Sequence, residues 1–382
     1  MAFTGRFTIG VGAAIALLCA AGGLRLQLSA QKAAGRSNDV PVPVFEVDPS
    51  WPKELPNNWL IGLTTGIYVD SRDHIWVTNN PGGLEKTEIG SIQNPPEADC
   101  CVPAPPVLEF DQAGNLVQSW GPPEGLVAPR IAHGMFVDHT DHVWIGSTSG
   151  FHIMKFTRDG KLVMTIGDPK ATERGGSNDL ARLGGPAGLF VEPKANELYV
   201  SDGYINSRVI VFDATTGAYK RHWGAYGERP TDIKLPPYNP DAPKPDRQFR
   251  NVHHLFLSKD GLVYVADRGN DRIQVFKLTG EYVTEKLVRP RTLRDGSAFT
   301  IGLSVDPQQT YLYLGDGNNN KVWILRRKDL EIVGSFGRAG RQVGQFTRIH
   351  NLAVDSHGNV YTTEAADGRR IQKFALRNGG TK

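Results

Sequence analysis

Six stretches of the chain repeat one alternation of apolar and polar positions. Each is an apolar strand that ends near an acid, then a turn, then a second apolar strand. They are "TGIYVDSRDHIWVTN" from Thr65, "HGMFVDHTDHVWIGS" from His133, "AGLFVEPKANELYVSD" from Ala187, "HHLFLSKDGLVYVAD" from His253, "IGLSVDPQQTYLYLGD" from Ile301 and "HNLAVDSHGNVYTTE" from His350. Later runs of the same kind end near Trp-Gly or Phe-Gly, as in "RVIVFDATTGAYKRHWG". A period of two, broken by Gly and Asp turns, marks short antiparallel strands. Regular self-similarity marks a repeat architecture. Six units of about four strands predict an all-β fold, a six-bladed β-propeller. The last unit is one strand short, because few residues remain after "RRIQKFAL". Pro43 to Asp48 is a strand without a unit. It is expected to complete the sixth blade and close the ring, which removes exposed sheet edges.

The blade pattern resembles NHL repeats and extends over residues 43 to 377, with a short tail at 378–382. The N-terminus reads differently. Arg6 precedes the apolar run Ile9 to Ala21, and Leu28-Ser29-Ala30 offers a cleavage site, the layout of a secretory signal peptide over residues 1–30. The run is short for a membrane span. Residues 31–42 read as a linker, and the expected location is secreted or periplasmic. Removing residues 1–30 takes away two arginines and no acid, so the net charge falls from +3 to +1. That balance asks for neither nucleic acid nor an anionic membrane as partner. Cys100 and Cys101 then remain as neighbours. Export favours a disulfide between them, and two free thiols in a loop are the alternative.

The repeat brings out a regularity among the ten histidines. Five residues before the strand-ending position stand Thr65, His133, Ala187, His253, Ile301 and His350. The even blades carry histidine there and the odd blades do not. The first strand of each blade lines the channel, and alternate blades are about 120° apart. Three imidazoles should therefore point inward, which with one open position is a catalytic zinc arrangement. Imidazole also suits other first-row metals. His254 should point away from the channel by strand alternation. His74, His139, His142 and His357 fall in turns on the opposite face and read as solvated. The loops after the second strands share the histidine end, which brings in Tyr204 from "SDGYINSR" and Arg268 from "ADRGNDR". The long insertions at 81–106 and 225–250 belong there too, as expected of a binding face. Arg208 and Arg272, at matching places before "VIVF" and "IQVF", read as structural.

These residues resemble the peptidyl-α-hydroxyglycine α-amidating lyases, most strongly at "YVSDGYINSRVIVF", "VHHLFLSKDGLVYVADRGNDRIQVF", "HGMFVDHTDHVWIG" and "IHNLAVDSHGNVY". The resemblance implies a six-bladed propeller with zinc on His133, His253 and His350, Tyr204 as catalytic tyrosine and Arg268 as an active-site arginine. It implies cleavage of a C-terminal α-hydroxyglycine into a peptide amide and glyoxylate. Chemically, a metal can bind the substrate hydroxyl, and a cation such as Arg268 would lower the tyrosine's pKa so that it serves as base. The chain lacks the family's own disulfides and departs from the family in three further places. Asn79 and Asn80 stand where a second arginine follows the second strand of blade one. Asn351 replaces the carboxylate of a structural calcium, which speaks against Ca2+. Arg348 replaces an apolar residue beside the metal.

Three functions from different classes follow. The first is a metal-dependent carbon–nitrogen lyase acting on a small-molecule or peptide substrate. The second keeps the metal and hydrolyses its substrate. The third is an extracellular propeller that binds a peptide, glycan or protein without catalysis, which the fold alone supports equally.

Overall fold

The computed structural model describes Met1 and residues 41–121, 132–171, 173–242 and 246–377. The expected signal peptide and most of the linker lie outside them, as does the tail. Among the described residues no helix is long and apolar enough to cross a membrane.

Among the described residues six four-stranded antiparallel sheets follow one another around the ring, each a blade whose strands run in chain order except for the outer strand of the last. Their first strands are Leu63–Val69, Ala132–Val137, Pro186–Glu192, Val252–Leu257, Thr300–Leu303 and Ile349–Val354. Each of these touches its counterparts in both neighbouring blades, so together they form the inner ring. The sixth blade takes its outer strand from the N-terminus. Val44–Asp48 pairs with Ile371–Arg377, in register from Val44↔Arg377 to Asp48↔Lys373. This strand bears the closure of the ring, as the unpartnered Pro43–Asp48 run implied. Phe45 packs on Tyr313 and Phe336 of blade five, with ring centroids 5.5 and 4.6 Å apart. Trp51 lies between Phe110 of blade one and Tyr361 of blade six at 5.8 and 4.9 Å.

The repeated residues have local reasons. The acid that ends the first strand folds its side chain over the following turn. Asp138 Oδ1 accepts the backbone N–H groups of Thr140 and His142, and its Oδ2 accepts Trp144 Nε1–H at 2.8 Å. Asp70 does the same for Arg72, His74 and Trp76. Such Asx turns satisfy buried backbone donors where the strand reverses. Arg208 and Arg272 are fully buried and clamp the connections that enter their blades. Arg208 pairs with Asp202 at 2.9 Å and donates to the carbonyls of Ser177, Asp179 and Arg182. Arg272 pairs with Asp267 at 2.8 Å and donates to Tyr226 Oη. Between blades the core is apolar, with Phe136 and Trp144 of blade two packed among Leu189, Leu198 and Ile210 of blade three.

The long loop of blade one is tied by a short parallel pair, Trp59–Leu60 with Val102–Pro103. It carries Cys100 and Cys101, which form a disulfide.

Deleting the closing strand through Asp48 should expose the edge of Ile371–Arg377 and strip the packing around Phe45. The truncated chain is expected to melt at lower temperature and to associate through the open edge. Melting and light scattering both unchanged would contradict this closure.

Candidate metal centre at the propeller axis

The inner strands are not regular where the histidines stand. In blade four the ladder runs Val252↔Asp267 and then His254↔Ala266, leaving His253 unpaired. In blade six it runs Ile349↔Glu364 and then Asn351↔Thr363, leaving His350 unpaired. Blade two breaks between Ala132 and Met135, around His133. A β-bulge frees one residue from the ladder and re-aims its side chain. Here the freed side chains turn to the axis. The centroids of His133, His253 and His350 lie 4.9, 4.7 and 4.9 Å apart, and all three residues are buried. One ring nitrogen of each falls within 4.8 Å of the others, a set that could hold a metal ion.

The odd blades contribute backbone instead of imidazole. His133 Nδ1 lies 3.2 Å from the carbonyl of Ala187, His253 Nδ1 2.6 Å from that of Phe299, and His350 Nδ1 2.9 Å from that of Thr65. A carbonyl only accepts, so each Nδ1 carries the hydrogen and each Nε2 presents its lone pair. Thr65 and Ala187 occupy the repeat position of the histidines. In blade five the repeat alignment put Ile301 there, and the structure puts Phe299 instead. The blade-five turn closes at Ser304, whose N–H donates to Tyr311 O at 2.9 Å, as Asp138 N–H donates to His142 O elsewhere. Asp306, the acid of the repeat pattern, lies two residues farther on. The close approach has a steric condition in blade two. A Cβ on Gly134 would stand 1.8 Å from Ala187 O, the acceptor for His133.

Tyr204 and Arg268 follow the second strands of blades three and four, and both loops are pinned inward. Tyr204 N–H donates to Gly185 O at 3.3 Å and Arg268 N–H to Asn251 O at 2.8 Å. Tyr204 Oη lies 2.8 Å from His133 Nε2 and 3.2 Å from His253 Nε2. One hydroxyl proton thus faces three convergent lone pairs, and a cation would satisfy what the protein leaves open. Neutral imidazoles with room for a further ligand fit zinc or another divalent first-row metal. The Arg268 guanidinium stands 5.5 Å from the Tyr204 ring and 4.8 Å from Phe299. Its Nε is buried with no hydrogen-bond partner among the described residues.

No protein-family model matches the chain. NHL repeat-containing protein 3 of Mus musculus is 27% identical over 354 residues, which cover 87% of this chain and 84% of that protein. Peptidyl-alpha-hydroxyglycine alpha-amidating lyase 1 of Drosophila melanogaster is 26% identical over 261 residues, 65% of this chain and 45% of that protein. Peptidyl-glycine alpha-amidating monooxygenase B of Xenopus laevis is 25% identical over 348 residues; these cover 87% of this chain but only 35% of the larger relative. The chain is a homologue of the amidating lyases and of the NHL repeat-containing proteins. A gluconolactonase from Xanthomonas campestris shares the propeller fold at a TM-score of 0.50 and 12% identity, over 89% of this chain and 96% of that one.

Against the lyase homologues' expected residue set, blade one supplies amides instead of an arginine. Asn80 brackets the entry to His133: its Oδ1 accepts Ala132 N–H at 2.9 Å and its Nδ2 donates to Ala132 O at 3.0 Å. Asn79 holds Gly62 N–H and the Ala104 carbonyl. A second arginine reaches the site from blade six. Arg348 pairs with Asp295 and lies 5.4 Å from Phe299. Asp295 also faces Arg268 at 3.8 Å, so one carboxylate is shared by two guanidinium groups. Asp295 lies in an interblade loop outside the repeat, and no sequence pattern pointed to it. Asn351 Oδ1 accepts the Thr300 hydroxyl at 2.6 Å and the Leu352 N–H at 2.8 Å.

The expectations for three histidines fail here. His254 does not point away from the channel but lines the axial cavity, because the bulge at His253 breaks the alternation. His74 is half-buried rather than solvated, and its Nδ1 meets Glu109 at 2.6 Å beside Arg158 and Asp70. His142 is likewise half-buried, whereas His139 and His357 are exposed.

Burial governs the electrostatics. It holds His133 and His253 well below the ordinary imidazole value and takes His350 down to about 4. Neighbouring imidazoles and Arg268 push the same way. The centre is therefore neutral and ready to bind a cation. Tyr204 is raised by burial, and Arg268 and Arg348 only partly oppose that rise. Arg268 alone does not make the tyrosine a base.

The sign of the pH dependence follows. Unfolded histidine takes up a proton near 6.5, while His350 in the fold does so only near 4. The unfolded chain binds more protons between these values, so stability falls as pH drops through that window. In excess chelator the melting temperature should decline steadily from about pH 6.5 to 4. A flat profile there would contradict neutral, buried imidazoles.

Proposed function

We propose that the chain is a metal-dependent lyase that cleaves the carbon–nitrogen bond of an α-hydroxyglycine-like substrate to an amide and glyoxylate. The observation that carries this reading is the hydroxyl of Tyr204 within hydrogen-bond reach of two convergent imidazoles, with Arg268 behind its ring. Three imidazoles alone would serve binding or hydrolysis as well. A tyrosine set against the open side of the triad suits proton transfer from a substrate hydroxyl.

A divalent ion on His133, His253 and His350 would supply Lewis acidity at that hydroxyl and lower the Tyr204 pKa. Tyr204 then takes the hydroxyl proton. The O–H electron pair forms the carbonyl of glyoxylate, the C–N bond breaks, and the amide nitrogen takes that proton back from Tyr204. Arg268 and Arg348 stand ready for the substrate carboxylate, with Asp295 holding both in place until it arrives. Arg348 thus stands in for the arginine missing from blade one. The apolar ring of Phe299, beneath both guanidinium groups, keeps water from one side of them.

The test is glyoxylate release from an α-hydroxyglycine peptide. Tyr204→Phe should retain fold and bound metal but lower kcat by about 10²–10⁴-fold, the usual contribution of a positioned base. Arg348→Met should chiefly raise KM for the carboxylate substrate. Undiminished turnover in Tyr204→Phe would refute the lyase chemistry.

A further inference from the structure

The inner strands carry a second repeat position, two residues before each turn-closing residue. It is occupied by Tyr68, Phe136, Phe190, Phe256, Gly302 and Ala353. The four aromatic rings pack in sequence around the axis, with centroids 4.3, 4.7 and 5.1 Å apart. They form an arc over blades one to four. Blades five and six have no ring to continue it. The missing volume is a cavity of about 340 Å³ in the channel, at the end opposite the loops that carry Tyr204 and Arg268. That size is at the lower end for small-molecule sites.

The polar side chains that blades four and five turn to this cavity are chiefly donors; the acids of the adjoining pocket, Asp70, Asp73, Asp138 and Asp355, lie toward blades one, two and six. Ile301 N–H donates to His254 Nδ1 at 3.3 Å, so the neutral ring carries its hydrogen on Nε2. Lys259 N–H donates to Gln309 Oε1 at 2.7 Å, which leaves the Gln309 amide N–H groups unengaged. The Lys259 ammonium, at the mouth, has only a 3.5 Å contact to Val305 O. Among the described residues the Tyr68 hydroxyl, His254 Nε2 and Gln309 Nε2 have no hydrogen-bond partner. The serine hydroxyls of the wall are already spent, Ser304 on Asp306 and Ser356 on Asp73. His254, Gln309 and Lys259 therefore place unused donors and one cation on the side of blades four and five, and the Tyr68 hydroxyl adds a donor from the aromatic arc.

We propose that this cavity is a binding site for a monocarboxylate with an apolar, ring-sized body. The carboxylate accepts from the His254, Gln309 and Lys259 side, and the body lies against the aromatic arc in the space left by Gly302 and Ala353. The site is independent of the metal centre and of the reaction assigned to it.

The probe is 3-phenylpropanoate, titrated calorimetrically into the full chain, with 3-phenylpropanamide and 3-phenylpropylamine as neutral and cationic counterparts. Saturable binding of the carboxylate in preference to both counterparts is expected. Ala353→Phe supplies the ring that blades one to four carry and should abolish binding. Lys259→Met and Gln309→Glu should each weaken it about ten-fold, the scale of one charge-assisted hydrogen bond. Lys259 is exposed, so that variant tests the site even if Ala353→Phe folds poorly. Arg268→Ala should leave binding unchanged. No saturable binding, equal binding of the amine, or loss in Arg268→Ala with retention in Ala353→Phe would overturn the assignment; the last result would place the anion at the metal face instead.

Discussion

Three hydrogen bonds from imidazole Nδ1 to backbone carbonyls organise this molecule's functional end. Each joins an even blade to the odd blade after it: His133 to Ala187, His253 to Phe299, and His350 to Thr65. They do two things at once. They fix the tautomer, so three Nε2 lone pairs converge on one point, and they set how closely neighbouring inner strands approach. Everything else at that end is arranged around them. The bulges free the histidines from the ladder, Gly134 admits the Ala187 carbonyl, and Asn80 holds the backbone on which His133 stands. The ring must close for the third of these bonds to form, because His350 and Thr65 belong to the last and first blades. The strand Val44–Asp48 thus supports the site although it lies on the outer edge.

Burial on this scale costs something unless the polar atoms are paired. The centre is left with lone pairs and a single hydroxyl proton among them. Such a deficit is costly in a purely structural core, and a cation on the three imidazoles would resolve it. The same burial keeps the imidazoles neutral, which favours metal over proton, and raises Tyr204, a rise that would have to be offset for the proposed base chemistry. Charge beside the triad is also incomplete, with two arginines sharing Asp295 and one guanidinium nitrogen unpartnered among the described residues.

Much of this was legible in the sequence because a repeat turns position into geometry. Blade number, ring closure and the three alternating histidines follow from periodicity, as does the side from which Tyr204 and Arg268 enter. What periodicity could not carry were its own local breaks. The bulge at His253 put His254 into the channel, and the early turn of blade five put Phe299 where the alignment had Ile301. The burial of His74 escapes the repeat because its partners Glu109 and Arg158 come from another strand and another blade. Asp295 lies in a connection without repeat character, so only the folded chain shows it between two arginines.

Metal content of the purified chain bears most directly on the centre. Protein prepared without chelator, or stripped and titrated with Zn2+, should hold one equivalent of a divalent first-row metal on His133, His253 and His350, and His350→Ala should lose it while keeping the propeller's circular dichroism. A stripped chain that takes up no metal, or uptake that survives His350→Ala undiminished, would contradict a three-histidine metal centre.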